Sequence, residues 1–70
     1  MNLLDKQEVA KKLHMTLATF QRHLRTDWAE IFPKPFPLTN TSNAQKLWIE
    51  PEIEDWILVK RQNYFNSHKD

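Results

Sequence analysis

The sequence predicts a mainly α domain of three helices with a small β-hairpin inserted before the last helix. Three observations predict it. Two helix-start patterns stand close together, at Asp5 and Thr16. The stretch FPKPFPL, residues 32–38, places Pro33, Pro35 and Pro37 at alternate positions in a chain with no glycine. A proline-led amphipathic segment then begins at Pro51. Seventy residues make one domain, 1–70, with a modest core to which most apolar residues are committed.

The first helix starts at Asp5. Asp5 can cap the amide of Glu8 while Glu8 reaches back to that of Asp5, and Leu4 and Val9 are spaced as a hydrophobic staple. Val9, Ala10 and Leu13 then share one face, and the helix is expected to end near His14. The second helix starts at Thr16, an N-cap, with Met15 and Phe20 in the same staple relation. Phe20 and Leu24 are expected to face inward with His23 at the edge, and Leu17, Ala18, Gln21, Arg22 and Arg25 to face outward. So tight a turn between two capped helices requires a steep crossing. His14 occupies that turn, where the backbone often needs positive φ and histidine is tolerated.

Each proline of 32–38 fixes its own φ and biases its predecessor toward extended geometry. The stretch therefore runs extended, with Phe36 and Leu38 on one face and Pro37 on the other. A proline cannot donate to a sheet, so it forms an edge strand or the approach to one. No PxxP pair is present, which argues against an SH3-type ligand. Residues 39–45, TNTSNAQ, form a polar tip, and residues 46–49, KLWI, return. Pro51 opens the third helix, with Glu52, Glu54 and Asp55 near its positive end. Ile53, Trp56, Ile57, Lys60 and Tyr64 make the stripe that closes the core, and residues 62–70 are expected to fray. Trp48 and Trp56 are assigned to packing, whereas no pattern places Trp28.

Composition narrows function. The chain has no cysteine, which excludes disulfides and thiolate metal sites. His14, His23 and His68 are not at ligand spacing, and the sequence implies no carboxylate–histidine pair, so no metal or cofactor is expected. No nucleophile elbow or phosphate loop is present, and no enzymatic activity is expected. The lack of a long apolar run or signal-peptide pattern predicts a cytoplasmic protein with no membrane partner, and the lack of catalytic motifs predicts no small-molecule substrate. Net charge is +1 but unevenly placed: +3 over residues 1–25, −4 over 26–59 and +2 over 60–70. That asymmetry permits a basic face for nucleic acid.

Helix, tight turn, helix, proline-stiffened hairpin and closing helix make a small winged helix-turn-helix, with the helix pair at about 5–25, the wing at about 36–49 and the closing helix at about 51–64. QEVAKKLHMTLATFQRHL resembles the helix-turn-helix of the AlpA-like regulators and phage excisionases, relatives of the MerR-type winged helix. FPKPFPL resembles the family's entry to the wing, and LWIEPEIEDWI its exit and final helix. The resemblance spans about residues 4–57. It implies a bacterial or prophage protein that binds double-stranded DNA, either regulating transcription or directing an integrase toward excision, with additional copies or an integrase as partners. It also implies that the protein is nucleoid-associated when bound. The tip 39–45 departs from the family's short, arginine-rich tip in being longer, neutral and free of glycine.

The expected DNA-contacting residues follow. Arg22 and Arg25 can bond guanine or neutralise phosphate, and Gln21 can read adenine through its amide. Thr16, at a helix N-terminus, stands where an anion is favoured. Thr19, Leu17 and Ala18 can touch sugar or thymine methyls. Asn43 and Lys46 are the expected contacts from the wing. One of Lys11 and Lys12 is expected to serve the negative end of the first helix. The alternatives are a winged helix used for protein contact, supported by the acidic third helix, and DNA recognition like that of a terminase small subunit, for which an oligomerisation region is expected to follow.

Overall fold

The computed structural model describes residues 2–68. It consists of three helices and a small antiparallel three-stranded sheet, in the order β1 (Leu3–Leu4), α1 (Lys6–Lys12), α2 (Leu17–Arg25), β2 (Phe36–Pro37), β3 (Lys46–Ile49) and α3 (Glu50–Ser67). Among these residues no helix is long and apolar enough to cross a membrane.

Both helix starts form as their side chains dictate. The Glu8 amide donates to Asp5 Oδ1 at 2.8 Å and the Asp5 amide to Glu8 Oε1 at 3.0 Å, a reciprocal capping box. Leu4 and Val9 are both buried in the core. At the other end of α1, His14 has φ of 60°. Its amide donates to the Lys11 carbonyl and that of Met15 to the Ala10 carbonyl, both at 3.0 Å. This is a Schellman motif with histidine in the left-handed position where glycine is usual. It releases the chain at once into Thr16, whose hydroxyl accepts the Thr19 amide at 3.2 Å and caps α2.

The expected hairpin is present but short, with Phe36 opposite Leu47 and Pro37 opposite Lys46. The prolines act as a brace, fastened from two sides. Trp48 donates its Nε1–H to the Pro33 carbonyl at 2.8 Å, and Lys34 Nζ donates to the Ala29 carbonyl at 2.8 Å. Phe36 and Leu38 remain exposed.

A strand absent from the sequence expectation lies on the far side of β3. Leu3 pairs with Ile49 and Leu4 with Trp48, which makes β3 the central strand. Two residues are too few to display alternation.

The core is built on Phe20, Phe32 and Trp48, whose ring centroids stand 5.4–6.1 Å apart, with Leu4, Val9, Ala10 and Ile53 around them. Trp28 now has a place. It stacks on Phe32 at 5.7 Å and meets Trp56 edge-on at 4.7 Å, extending the aromatic cluster toward α3.

The third helix corrects two expectations. It begins at Glu50, one residue before Pro51, and runs to Ser67, so residues 62–67 are helical where fraying was expected; Lys69 and Asp70 lie outside the described residues. Local contacts support the extension: the Arg61 guanidinium lies 5.0 Å from the Phe65 ring centroid, and Tyr64 stacks on His68 at 4.2 Å. The closing stripe also stops early. Ile53 is buried and Trp56 and Ile57 pack against the core, but Lys60 and Tyr64 are exposed. Lys60 covers Trp56 with its Nζ 5.6 Å from the ring centroid. The second half of α3 thus leaves the core, and the molecule measures 51 × 26 × 20 Å.

Candidate functional site

The outer face of α2 follows from the helical period. Ala18, Gln21, Arg22 and Arg25 stand at i, i+3, i+4 and i+7 and so share one side. Ala18, Arg22 and Arg25 are exposed and Gln21 is half-buried. Phe20 is fully buried and Leu24 packs on the core, so the opposite side holds the helix rigidly. Among the described residues neither arginine takes part in an ion pair. Gln21, Leu24 and Arg25 line a shallow depression on the same helix.

Leu17 is a correction. It was expected to face outward, but it is half-buried against the core. The reason is the period itself, since residues three and seven apart share a face, which groups Leu17 with Phe20 and Leu24.

The two threonines at the start of α2 divide their work. Thr16 accepts the Thr19 amide and donates its hydroxyl hydrogen to Thr19 Oγ1 at 2.9 Å. The proton of Thr16 is therefore committed. The hydroxyl hydrogen of the half-buried Thr19 remains available to an acceptor, so Thr19 suits an anion better than Thr16 does.

Other cations are tied into the fold. Lys12 Nζ stands 3.2 Å from Glu50 Oε2, joining α1 to α3, while Asn2 Nδ2 donates to Glu50 Oε1 at 3.0 Å. The bond from Asn2 and then that from Lys12 hold the Glu50 carboxyl below its usual range. Lys12 is thus the lysine with the structural role, and its partner is a carboxylate of α3 as well as the end of α1. Lys34 is held by the Ala29 carbonyl.

The hairpin contributes a second, separate group. Lys46 lines a depression together with Lys6, Pro35, Ala44, Gln45 and Trp48. Lys6 was not expected here, and its position in the first turn of α1 gives no spacing signal. The Gln45 amide reaches Asp5 Oδ2 at 3.4 Å, which holds the hairpin base beside the start of α1. Asn43 is exposed at the tip with Asn40, Thr41 and Ser42. β3 packs on α1 and α3, and meets α2 in the core through Trp48 on Phe20.

Contrary to the sequence expectation, a carboxylate–histidine pair does form. His23 Nδ1 and Asp27 Oδ1 are 2.8 Å apart, and Thr26 Oγ1 donates to the same carboxylate oxygen at 3.0 Å. The bond to His23, foremost, lowers the Asp27 pKa below 3.8. The ring of His23 also stacks on Trp28 at 4.3 Å. The pair therefore fixes Trp28 at the exit of α2. Among the described residues no cluster of three His, Cys, Asp or Glu could hold a metal ion.

Comparison with protein-family models, curated proteins and solved structures gives no match for this chain. Its function must be argued from these residues.

Proposed function

We propose that the protein binds double-stranded DNA as a small winged helix-turn-helix, with α2 as the helix that enters the major groove. The observation that carries the reading is the outer face of α2, where Arg22 and Arg25, free of carboxylate partners among the described residues, stand beside Gln21 and Ala18. Guanidinium groups on a rigid helix suit guanine edges and phosphates, an amide suits adenine, and an alanine methyl suits thymine. Thr19 is placed to donate to a phosphate at the start of that helix. Lys6 and Lys46 add a second positive patch at the hairpin base, and Asn43 extends from the tip.

In this reading binding is the biochemical act. The protein serves in a bacterial cytoplasm as an excisionase or AlpA-like regulator of a mobile element, alongside an integrase or further copies of itself. One α2 face offers few base contacts, so specific binding draws on neighbouring copies, a partner protein or DNA bending. The test is a set of binding isotherms for Arg22→Ala and Arg25→Ala on a selected duplex. An arginine that reads a base costs about 1–3 kcal/mol when removed, and one that meets phosphate lowers the salt slope by about one. Unchanged affinity and slope in both variants refutes the assignment.

A second reading is a winged helix used for protein contact. The exposed Leu58, Val59, Tyr64 and Phe65 of α3, beyond its acidic first turns, favour it. Only DNA binding falls steeply with salt.

A further inference from the structure

The half of α3 that leaves the core carries its own pattern. Pro51, Leu58 and Phe65 recur every seven residues, so they lie along one line of the helix, about 140° round from the buried Ile53. All three are exposed, Leu58 by 60% and Phe65 by 54%. Glu54 and Arg61 flank this line on one side, and Asp55 and Gln62 on the other, all exposed. The Arg61 guanidinium already leans over the Phe65 ring.

We propose that two copies of the protein pair along this line, α3 against α3 and antiparallel, with the two-fold axis at Leu58. In that register Leu58 meets Leu58 of the second copy, and Pro51 meets Phe65 of the second copy at each end. Two-fold symmetry keeps like flanks together. Glu54 therefore faces Arg61 of the second copy, twice, and Asp55 faces Gln62 of the second copy, twice. One register satisfies the apolar line and both flanks. A parallel two-fold pairing in register brings opposite flanks together instead, so Glu54 faces Asp55 of the second copy and repels, twice, while Arg61 faces only Gln62 and gains no ion pair. The line points away from the core, and none of its residues belongs to the outer face of α2. The contact runs about 21 Å along each helix, less than a standard interface demands, so the dimer is weak and concentration-dependent.

The pairing does not depend on DNA binding and is tested without nucleic acid. Sedimentation equilibrium of the full chain, at concentrations up to about millimolar, compares the wild type with Glu54→Arg, Arg61→Glu and the double variant. Circular dichroism checks that each is folded. Each single reversal turns two attractive pairs repulsive and weakens association about tenfold. The double variant restores it. Residues 54 and 61 are about 10 Å apart along one helix, so the restoration cannot arise within a single α3. Because the chain has no cysteine, Leu58→Cys gives a second readout. It should form a disulfide-linked dimer on mild oxidation, whereas Glu52→Cys, on a different side of α3, should not. A wild type that stays monomeric, a double variant as weak as the singles, or equal cross-linking at 52 and 58 overturns the proposal.

Discussion

His23, in the last turn of α2, and Trp28, just beyond it, stack with ring centroids 4.3 Å apart and planes 20° from parallel. Asp27 holds the imidazole from one side at 2.8 Å, and the Trp28 amide donates to the His23 carbonyl at 2.9 Å. Trp28 is thereby pinned against Phe32 and Trp56, so the end of α2 is locked to α3 through aromatic rings.

The carboxylates in these links give a pH dependence with a definite sign. Asp27 is held below its ordinary 3.8 by the bond to His23, and Glu50 below its ordinary 4.5 by Asn2 and Lys12. A depressed carboxylate contributes stability that is present above its unfolded pKa and lost as pH falls through the folded value. The melting temperature should therefore drop as pH is lowered from about 4.5. Asp27→Asn should flatten part of that decline and Lys12→Met another part. An acid limb unchanged in both variants would show that the two pairs do not matter.

Trp48 joins the core to the proline brace through its Nε1–H on the Pro33 carbonyl. Trp48→Phe keeps a ring but removes the donor, and should cost about 1–3 kcal/mol in urea unfolding. Phe20→Ala, at a fully buried ring packed on Phe32 and Trp48, should cost about 3–5 kcal/mol. In a domain this small that leaves little folded protein at 25 °C.

His14 is tolerated at φ of 60° rather than required there. His14→Gly should be neutral or slightly stabilising, because glycine reaches that region without steric cost. His14→Val should cost about 1–2 kcal/mol, since a β-branched side chain meets the backbone there. Thermal melts of the two variants that coincide would contradict this account of the turn.

Local signals carried most of the fold. Asp5 with Glu8, and Thr16, announced both helix starts because capping acts within three residues. His14 betrayed the turn by interrupting two capped helices. The pairing of Leu3 and Leu4 with β3 was hidden, since it joins residues more than forty apart and is too short for a pattern. Trp28 was unreadable for a related reason: it follows Thr26, where the helical period ends, and only the folded chain brings it to Phe32 and Trp56. The His23–Asp27 pair has helical i, i+4 spacing but crosses that same boundary. In α3, length was underestimated because the expected stripe ends at Tyr64 and no apolar stripe continues it, and the support of the last turns is local, from Arg61 on Phe65 and Tyr64 on His68. Of the candidate site, the cluster of Ala18, Gln21, Arg22 and Arg25 followed from the 3.6-residue period, which also corrects Leu17. Lys6 beside Lys46 did not, because it depends on where β3 lands against α1.

The central claim is that the outer face of α2 meets DNA phosphates and bases. The most direct measurement is fluorescence anisotropy of a labelled random-sequence duplex, titrated with the protein at several salt concentrations. The account predicts binding that weakens steeply and log-linearly with salt, by about 0.9 for each phosphate contacted, and a shallower slope when Arg22 and Arg25 are both replaced by alanine. Absence of binding at low salt by folded protein, or a slope indifferent to those two arginines, would contradict it.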